Sequence, residues 1–346
     1  MWKTVEYTKA EINRAGEKVL LDSITSEEKE ACLKVINNWR AAHAFPMNTF
    51  TINLKKQVKD IKGSIVVQRL KRLDTIIDKL KRFPKMKLYR MQDLGGCRVI
   101  VPTISDVYKV KKKFQSSRIR HELHNEKDYI AIPNPDTGYR GIHLIYKYRS
   151  DRRDDYNGLQ IEIQLRSKKQ HLWATAVETV GIFTQNGLKF NQGSEEWLRF
   201  FKLVSALFAI DEKSAVVEGI SEDPIEIICQ LLNIMKELKV SEKLFTIGLA
   251  TSYMGKIQRS KKPGYYLMVL DINSKTLNVN GYKSIEKATN EYNKIEMEKT
   301  SNIDAVLVSA ESFEALMAAY PNYFADVKEF MTTLMRTIKK HSGALL

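Results

Sequence analysis

The chain has 346 residues and a formal net charge of +15, an excess that favours polyanionic partners such as nucleotides, RNA or acidic membranes. It contains no apolar run of the roughly 18–20 residues needed to span a bilayer and no apolar signal region, so we expect a cytoplasmic protein. Three scattered cysteines without CxxC spacing argue against a disulfide framework and a structural zinc site, and we expect all three thiols to be buried.

The first 90 residues are predicted to be helical. A helix N-cap at Ser26 is followed by apolar residues at helical spacing up to Trp39, and Pro46 is expected to close this first block. Residues 55–90 carry thirteen lysines and arginines against three acids, interleaved with an apolar stripe, which indicates a basic folded surface. One face of this second block repeats polar side chains at helical intervals: Lys71, Thr75, Lys79 and Arg82.

The middle of the chain changes to a period of two. Alternating apolar residues predict strands over 97–101, 141–148 and 159–166. Helical patterns lie between and after these strands, over 105–115, 167–182 and 195–211. The combination predicts an α+β fold with a mixed β-sheet flanked by helices.

A change of pattern between residues 212 and 245 suggests a boundary. The last hundred residues are predicted to form a smaller α/β module with strands over 245–253, 265–272, 276–279 and 303–309, a turn at 273–274, a helix over 284–298 and further helices from 312. The predicted units are N-terminal helices (1–50), a core (51–215), a linker helix (216–244) and a C-terminal module (245–346).

Two carboxylates stand at places where a sheet rarely has them. Asp93 precedes a strand and two glycines, and Glu162 lies in mid-strand on the polar face of the segment 159–166. On neighbouring strand ends, the two acids would suit Mg²⁺, which takes one or two carboxylates together with phosphate oxygens. A tight entry turn and a sheet with one solvated face remain open as alternatives for these two segments.

A loop rich in proline and glycine, residues 128–141, places Tyr139 at its tip. This ring could stack on a nucleobase or could simply pack against the protein.

Five ordered motifs within residues 50–210 resemble the RelA/SpoT synthetase domain. They read Arg69-Leu-Lys71; Thr75-Ile-Ile-Asp-Lys79-Leu; Asp93-Leu-Gly-Gly-Cys-Arg98-Val-Ile; Gly138-Tyr139-Arg140-Gly-Ile-His143; and Glu162-Ile-Gln164-Leu-Arg166 followed by His171 and Trp173. The departures are mild, since Thr75 replaces a serine and Gly95 an alanine. The resemblance implies an ATP-dependent pyrophosphokinase that joins a pyrophosphate to a ribose 3′-hydroxyl.

The resemblance also implies roles for individual residues. Asp93 and Glu162 would be catalytic and would bind Mg²⁺. ATP would be held by Arg69, Lys71, Thr75, Lys79, Arg82 and Arg98. The acceptor would be held by Tyr139, Arg140, Gln164, Arg166 and His171.

The acceptor and the regulation are less specified. The basic surface favours the 3′-terminal adenosine of tRNA, with GDP or GTP as the alternative and a non-catalytic RNA- or nucleotide-binding module as a further one. The sequence lacks the His-Asp dipeptide that marks the family's hydrolase domain. Residues 245–346 resemble the fused antitoxin of CapRel-type toxin–antitoxin proteins, which implies autoinhibition by Tyr320 and Tyr323 and release by a phage protein such as the major capsid protein. Simple packing of these tyrosines, or an oligomerisation tail, stays open.

Overall fold

The structure is a computed structural model that describes residues 2–185, 194–244, 257–258, 264–271, 274, 276–298, 303–310, 316–317 and 327–343. The predicted strand at 245–253 therefore lies outside the described residues, as do Tyr320 and Tyr323. No helix in these ranges is both long and apolar enough to cross a membrane.

Three helices open the chain: α1 (Lys9–Lys18), α2 (Ser26–Ala42) and α3 (Ala44–Val58). Thr25, rather than the predicted Ser26, is the N-cap of α2, because its hydroxyl accepts the backbone N–H of Glu28 while the Glu28 carboxylate reaches back to the cap. Pro46 does not end a helix. It lies in the first turn of α3, where a missing backbone N–H has no cost.

The helical prediction for residues 51–90 is wrong at Ile65–Leu70, which forms strand β1. The β-branched residues 65–67 favour an extended backbone, and β1 pairs antiparallel along its whole length with β2 (Gly95–Val101). Helix α4 begins only at Leu73 and ends at Arg82. Lys71 consequently lies in the connection between β1 and α4, with its backbone N–H bonded to the carbonyl of Leu94 at 2.8 Å.

The predicted elements of the middle region are confirmed with small shifts of their ends. They are α5 (Ile104–Gln115), β4 (Ile142–Lys147), β5 (Gln160–Ser167), α6 (Lys168–Gln185) and α7 (Ser194–Asp211). An additional strand, β3 (Glu122–Asp128), forms the edge beside β4. Strands β2 and β5 are parallel, with Gly96 opposite Glu162. The predicted α+β class with a mixed sheet is confirmed.

The rest of the chain adds α8 (Pro224–Glu237), β6 (Ile257–Gln258), β7 (Tyr265–Asp271), β8 (Thr276–Tyr282), α9 (Ile285–Glu298), β9 (Ile303–Ser309) and α10 (Lys328–Ser342). Strand β9 pairs with β1, placing Ser309 beside Gln68 and Val308 beside Arg69. In the described part of the chain, nine strands thus form one sheet in the order β3-β4-β5-β2-β1-β9-β7-β8-β6.

The apolar core lies on both faces of this sheet. One cluster joins the N-terminal helices to β1–β5, and a second joins α6, α7, α8 and α10 through aromatic contacts such as Phe201 with Phe330. Cys32 and Cys97 are buried as predicted, but Cys229 is exposed on α8, so the prediction of three buried thiols is wrong there.

Candidate active site

A cavity of about 200 Å³ opens at the adjoining strands β1, β2 and β5. Both predicted carboxylates line it, because the parallel register brings the residues that precede β2 close to the start of β5. Cationic and imidazole side chains from three strands and from the connection between β1 and α4 face the same space, so the cavity combines positive and negative groups. Its lining includes Arg69, Lys71, Asp93, Arg98, His143 and Glu162.

Asp93 is clamped by two lysines. Its Oδ2 lies 2.7 Å from Nζ of Lys71, and its Oδ1 lies 3.0 Å from Nζ of Lys79 on α4. Burial lowers the pKa of Lys71, and the adjacent Asp93 carboxylate offsets part of that effect. Two ammonium groups thus share one carboxylate. Both can bind phosphate oxygens when a phosphate takes the place of the carboxylate.

Glu162 is held by side chains of the strands β4 and β5. Its Oε1 lies 2.9 Å from Nδ1 of His143, and its Oε2 accepts a hydrogen bond from Nε2 of Gln164 at 2.8 Å. Burial alone would raise the pKa of Glu162, but the hydrogen bond and charge of His143 outweigh it and lower that pKa to about 2. Burial would likewise lower the pKa of His143, but Tyr139 and Glu162 raise it to about 9. At neutral pH the pair is therefore a carboxylate and an imidazolium.

In the sequence, His143 is the last residue of a motif, and the motif alone indicates no role for it. The alternation of strand β4 was the signal that could have found it, because His143 pairs with Gln164 across the β4–β5 ladder and so shares the polar face of Glu162.

Tyr139 joins this network from the loop before β4. Its hydroxyl lies 2.6 Å from Nε2 of His143 and accepts a hydrogen bond from Nε of Arg166 at 3.2 Å. Arg166 also donates to Gln164 at 3.2 Å, and its guanidinium lies 5.2 Å from the centre of the Tyr139 ring. Position 141 must be glycine, since at its φ of +155° a Cβ would lie 2.9 Å from the Tyr139 hydroxyl.

A further acid, Glu178, belongs to the electrostatics of the site. Burial would raise its pKa, but the positive charges of several arginines, led by Arg98 and Arg69, lower it. Sequence reasoning missed this residue. The available signal was that Glu178 is the sole acid in the eighteen residues of α6, next to otherwise apolar and small side chains.

The structure does not bring Arg140 to the cavity. This guanidinium is 2 % exposed and pairs instead with Glu212 at 3.0 Å and with the hydroxyl of Ser214 at 2.9 Å. A buried guanidinium requires a carboxylate partner, and the end of α7 supplies it. The acceptor role expected for Arg140 is therefore replaced by a structural one, in which it ties the loop before β4 to the end of α7.

The three remaining expected site residues differ in their exposure to solvent. Thr75 is half-buried on α4, one turn before Lys79, whereas Arg82 is exposed at the end of that helix with its guanidinium 6.0 Å from the ring of Phe83. His171 is buried on α6.

The carboxylate pair is the candidate cation site. The side chains of Asp93 and Glu162 are 21 % and 14 % exposed and face one cavity. Within the described ranges, no group of three or more His, Cys, Asp or Glu side chains gathers as a metal cluster. Two oxygen donors without a third protein ligand fit Mg²⁺, which completes its shell with phosphate oxygens and water.

Comparisons with known proteins agree with the geometry. Residues 68–185 match the model of the "Region found in RelA / SpoT proteins". The chain is 26 % identical over 156 residues to the GTP pyrophosphokinase YjbM of Bacillus subtilis, covering 44 % of this chain and 71 % of that relative. It is 31 % identical over 115 residues to the GTP pyrophosphokinase YwaC of the same organism, covering 31 % of this chain and 52 % of that relative.

Among solved structures, the small alarmone synthetase 1 of Bacillus subtilis bound to its product pppGpp aligns with a TM-score of 0.40 and 22 % identity, over 48 % of this chain and 86 % of that one. The family segment contains every residue that was named above as lining the cavity. Over residues 68–185, this chain therefore contains the region found in RelA/SpoT proteins, and it is similar to two GTP pyrophosphokinases.

Proposed function

We propose that the chain transfers the β,γ-pyrophosphate of ATP to the 3′-hydroxyl of a ribose, with AMP as the leaving group. The observation that carries this proposal is a single cavity in which two carboxylates face Arg69, Lys71 and Arg98. Phosphoryl transfer requires mainly positioning and neutralisation of charge, and both can be supplied by these groups. Arg69 and Arg98, from the adjacent strands β1 and β2, would hold the ATP base.

Lys71 and Lys79 would bind the ATP phosphates. In the structure they neutralise Asp93, so binding of a triphosphate would transfer them from the carboxylate to the phosphate oxygens. Asp93 and Glu162 would then hold Mg²⁺, which would supply further charge neutralisation to the phosphates. We therefore expect ATP and Mg²⁺ to bind more tightly together than either does alone.

Glu162 would orient the attacking hydroxyl rather than act as the base that removes its proton. A carboxylate whose pKa is about 2 is a weak base at neutral pH, so its strength lies in accepting a hydrogen bond and ligating a cation. Tyr139, fixed by His143 and Arg166, would present its ring to the acceptor base.

The acceptor that we propose is the 3′-terminal adenosine of tRNA. The net charge of +15 supports a polyanionic partner, because contacts with phosphate dominate the affinity for nucleic acids. Such a transfer would block aminoacylation and inhibit translation. The second candidate acceptor is GDP or GTP, which the names of the two Bacillus relatives favour.

The direct test is transfer of label from γ-labelled ATP to bulk tRNA or to GDP and GTP in parallel reactions. Periodate-oxidised tRNA is the matched control for the first acceptor, since it lacks the terminal 3′-hydroxyl. Label on intact tRNA alone supports our proposal, and label on GDP or GTP alone supports the second candidate. The absence of both, with the wild-type chain and with the Tyr320→Ala/Tyr323→Ala chain alike, contradicts the pyrophosphokinase assignment.

The catalytic assignment is tested separately with Asp93→Ala, using Asp74→Ala on the exposed side of α4 as the control. We expect release of AMP to fall by about 100-fold or more in the first variant and to stay near the wild-type rate in the second. An Asp93→Ala enzyme that still releases AMP at a comparable rate would contradict the role of this carboxylate.

We also propose that the C-terminal part of the chain restrains the enzyme, as in a fused toxin–antitoxin with a role in defence against phage. The support is the pairing of β9 with β1, which places Val308 opposite the site residue Arg69, together with the resemblance of residues 245–346. Tyr320 and Tyr323 remain the proposed inhibitory pair.

Expression in bacteria tests the restraint. We expect the double variant Tyr320→Ala/Tyr323→Ala to arrest growth, the same variant with Glu162→Gln to be harmless, and coexpression of a phage major capsid protein to release the wild-type chain. Equal growth of the wild-type chain and the tyrosine variant would contradict inhibition by these residues.

A further inference from the structure

A second cavity, of about 420 Å³, is lined entirely by residues outside the family segment. It is a groove between the N-terminal residues 2–7, helix α2 and helix α9. Its volume falls in the range of about 300–1,000 Å³ that is typical of ligand sites. Nothing in the proposed transfer reaction uses this groove.

Asn37 on α2 lines the groove and is 6 % exposed. In the described part of the chain, neither Oδ1 nor Nδ2 of this carboxamide has a hydrogen-bond partner. Buried polar groups in folded proteins are almost always paired, and an unpaired one calls for a specific explanation. A carboxamide with both a donor and an acceptor unused suits a ligand that offers the same two functions, which would reach these buried atoms once the Asn37 side chain turns towards the groove.

The neighbouring Asn38 shows which groups a carboxamide of α2 binds at this groove. Asn38 accepts the backbone N–H of Glu6 at 3.1 Å through Oδ1 and donates to the backbone carbonyl of Thr4 at 3.1 Å through Nδ2. One carboxamide of α2 therefore already recognises the main chain of a peptide segment at the rim of this groove. Asn37 offers the same pair of functions one position earlier on the helix.

The charge of the groove favours a neutral peptide main chain over a nucleotide. Its charged lining residues are two lysines and two glutamates, so their formal charges cancel, and the lysines Lys3 and Lys34 already contact Glu6 and Glu30. Thr289 and Asn290 of α9 add neutral hydrogen-bonding groups. A nucleotide would bring uncompensated phosphate charge to this surface, whereas a peptide main chain would bring none.

We propose that this groove binds an extended peptide segment of a second protein, with the carboxamide of Asn37 pairing with its main chain. The groove connects to the active site through α9. Asn293 lines the groove and accepts a hydrogen bond from Arg40 at 3.2 Å, and Arg40 reaches the backbone carbonyl of Lys71 at 3.5 Å. A peptide in contact with Asn293 is thus separated by one arginine from the lysine that clamps Asp93.

The test is selection of a displayed library of random linear peptides on the purified full chain, followed by titration of the selected synthetic peptides. Asn37→Leu keeps the number and branching of the side-chain heavy atoms and removes both polar atoms. Asn278→Leu, at an exposed position of β8, is the matched control. Thr289→Val tests the α9 wall independently, and thermal denaturation establishes that each variant folds.

We expect peptides that bind in the micromolar range and lose about tenfold or more in affinity with Asn37→Leu but not with Asn278→Leu. Because two unpaired polar atoms disappear, Asn37→Leu should unfold no earlier than the wild type. Failure to select any peptide, or binding by both Asn37→Leu and Thr289→Val with the affinity of the wild type, overturns the proposal. Binding of ATP or GDP that is lost in Asn37→Leu, in place of peptide binding, also overturns it. These measurements involve no turnover, so their outcome is independent of the transfer reaction.

Discussion

The His143→Gln variant should lack a pH dependence of stability that, in the wild type, arises from the titration of His143. His143 is mostly buried between Glu162 and Tyr139, and its pKa in the folded state is raised to about 9 from an ordinary value of 6.5. The folded protein therefore binds one proton more than the unfolded chain between these two values. Its stability must fall as the pH rises through that window.

The magnitude follows from the size of the shift. A difference of roughly 2.5 pKa units at about 1.4 kcal/mol each corresponds to about 3 kcal/mol. This contribution is fully present below pH 6.5 and is lost as the pH passes 9. The wild type should exceed His143→Gln in stability by up to about 3 kcal/mol at the acidic end and should approach it at the alkaline end.

Chemical denaturation at a series of pH values measures this directly, through the midpoint and slope of each unfolding curve. His124→Gln, at an exposed position of β3, is the matched control and should follow the wild-type profile. If the wild type and His143→Gln lose stability in parallel across the window, the imidazolium–carboxylate pair does not have the strength inferred here.

Three other predictions are simpler to check. Arg140→Met should destabilise the protein by about 3–5 kcal/mol, because it leaves the buried Glu212 carboxylate without its guanidinium partner. An Arg140→Met variant with wild-type stability but weaker acceptor binding would instead support a role of Arg140 in acceptor binding. Tyr292→Phe should cost about 1–3 kcal/mol in the free energy of unfolding, since its hydroxyl accepts a hydrogen bond from the buried Arg40 at 3.0 Å, and an unchanged midpoint would contradict this. A thiol reagent should label Cys229 alone in the native protein and all three cysteines in denaturant, and fast native labelling of a second thiol would refute the burial of the others.

Much of the candidate site could be predicted from the sequence because it lies on short alternating strands. A period of two places Glu162 and Gln164 on the same face whatever the rest of the chain does. Asp93 was identified by its position before a strand that opens with two glycines. The structure places both acids on one cavity, together with the two expected lysines.

The failures have a common cause in tertiary contacts. Residues 65–70 carry both helical spacing and β-branched side chains, and pairing with β2 and β9 decides in favour of the strand. Arg140 stands in a motif beside Tyr139, but the two side chains of adjacent residues point to different sides, and a buried guanidinium is drawn to the carboxylate of Glu212. Local pattern contains no information about an acid seventy residues away.

By itself, the sequence determined the α+β class, the positions of the strands β2, β4 and β5, and the residue types of the candidate site, since these depend on local periodicity and on ordered motifs. Only the tertiary structure decided that Lys71 and Lys79 share one carboxylate, that His143 is the partner of Glu162, and that the C-terminal strands extend the sheet next to Arg69. Those arrangements join residues from separate elements. Their energies arise from burial and pairing across the fold, which no single stretch of the chain encodes.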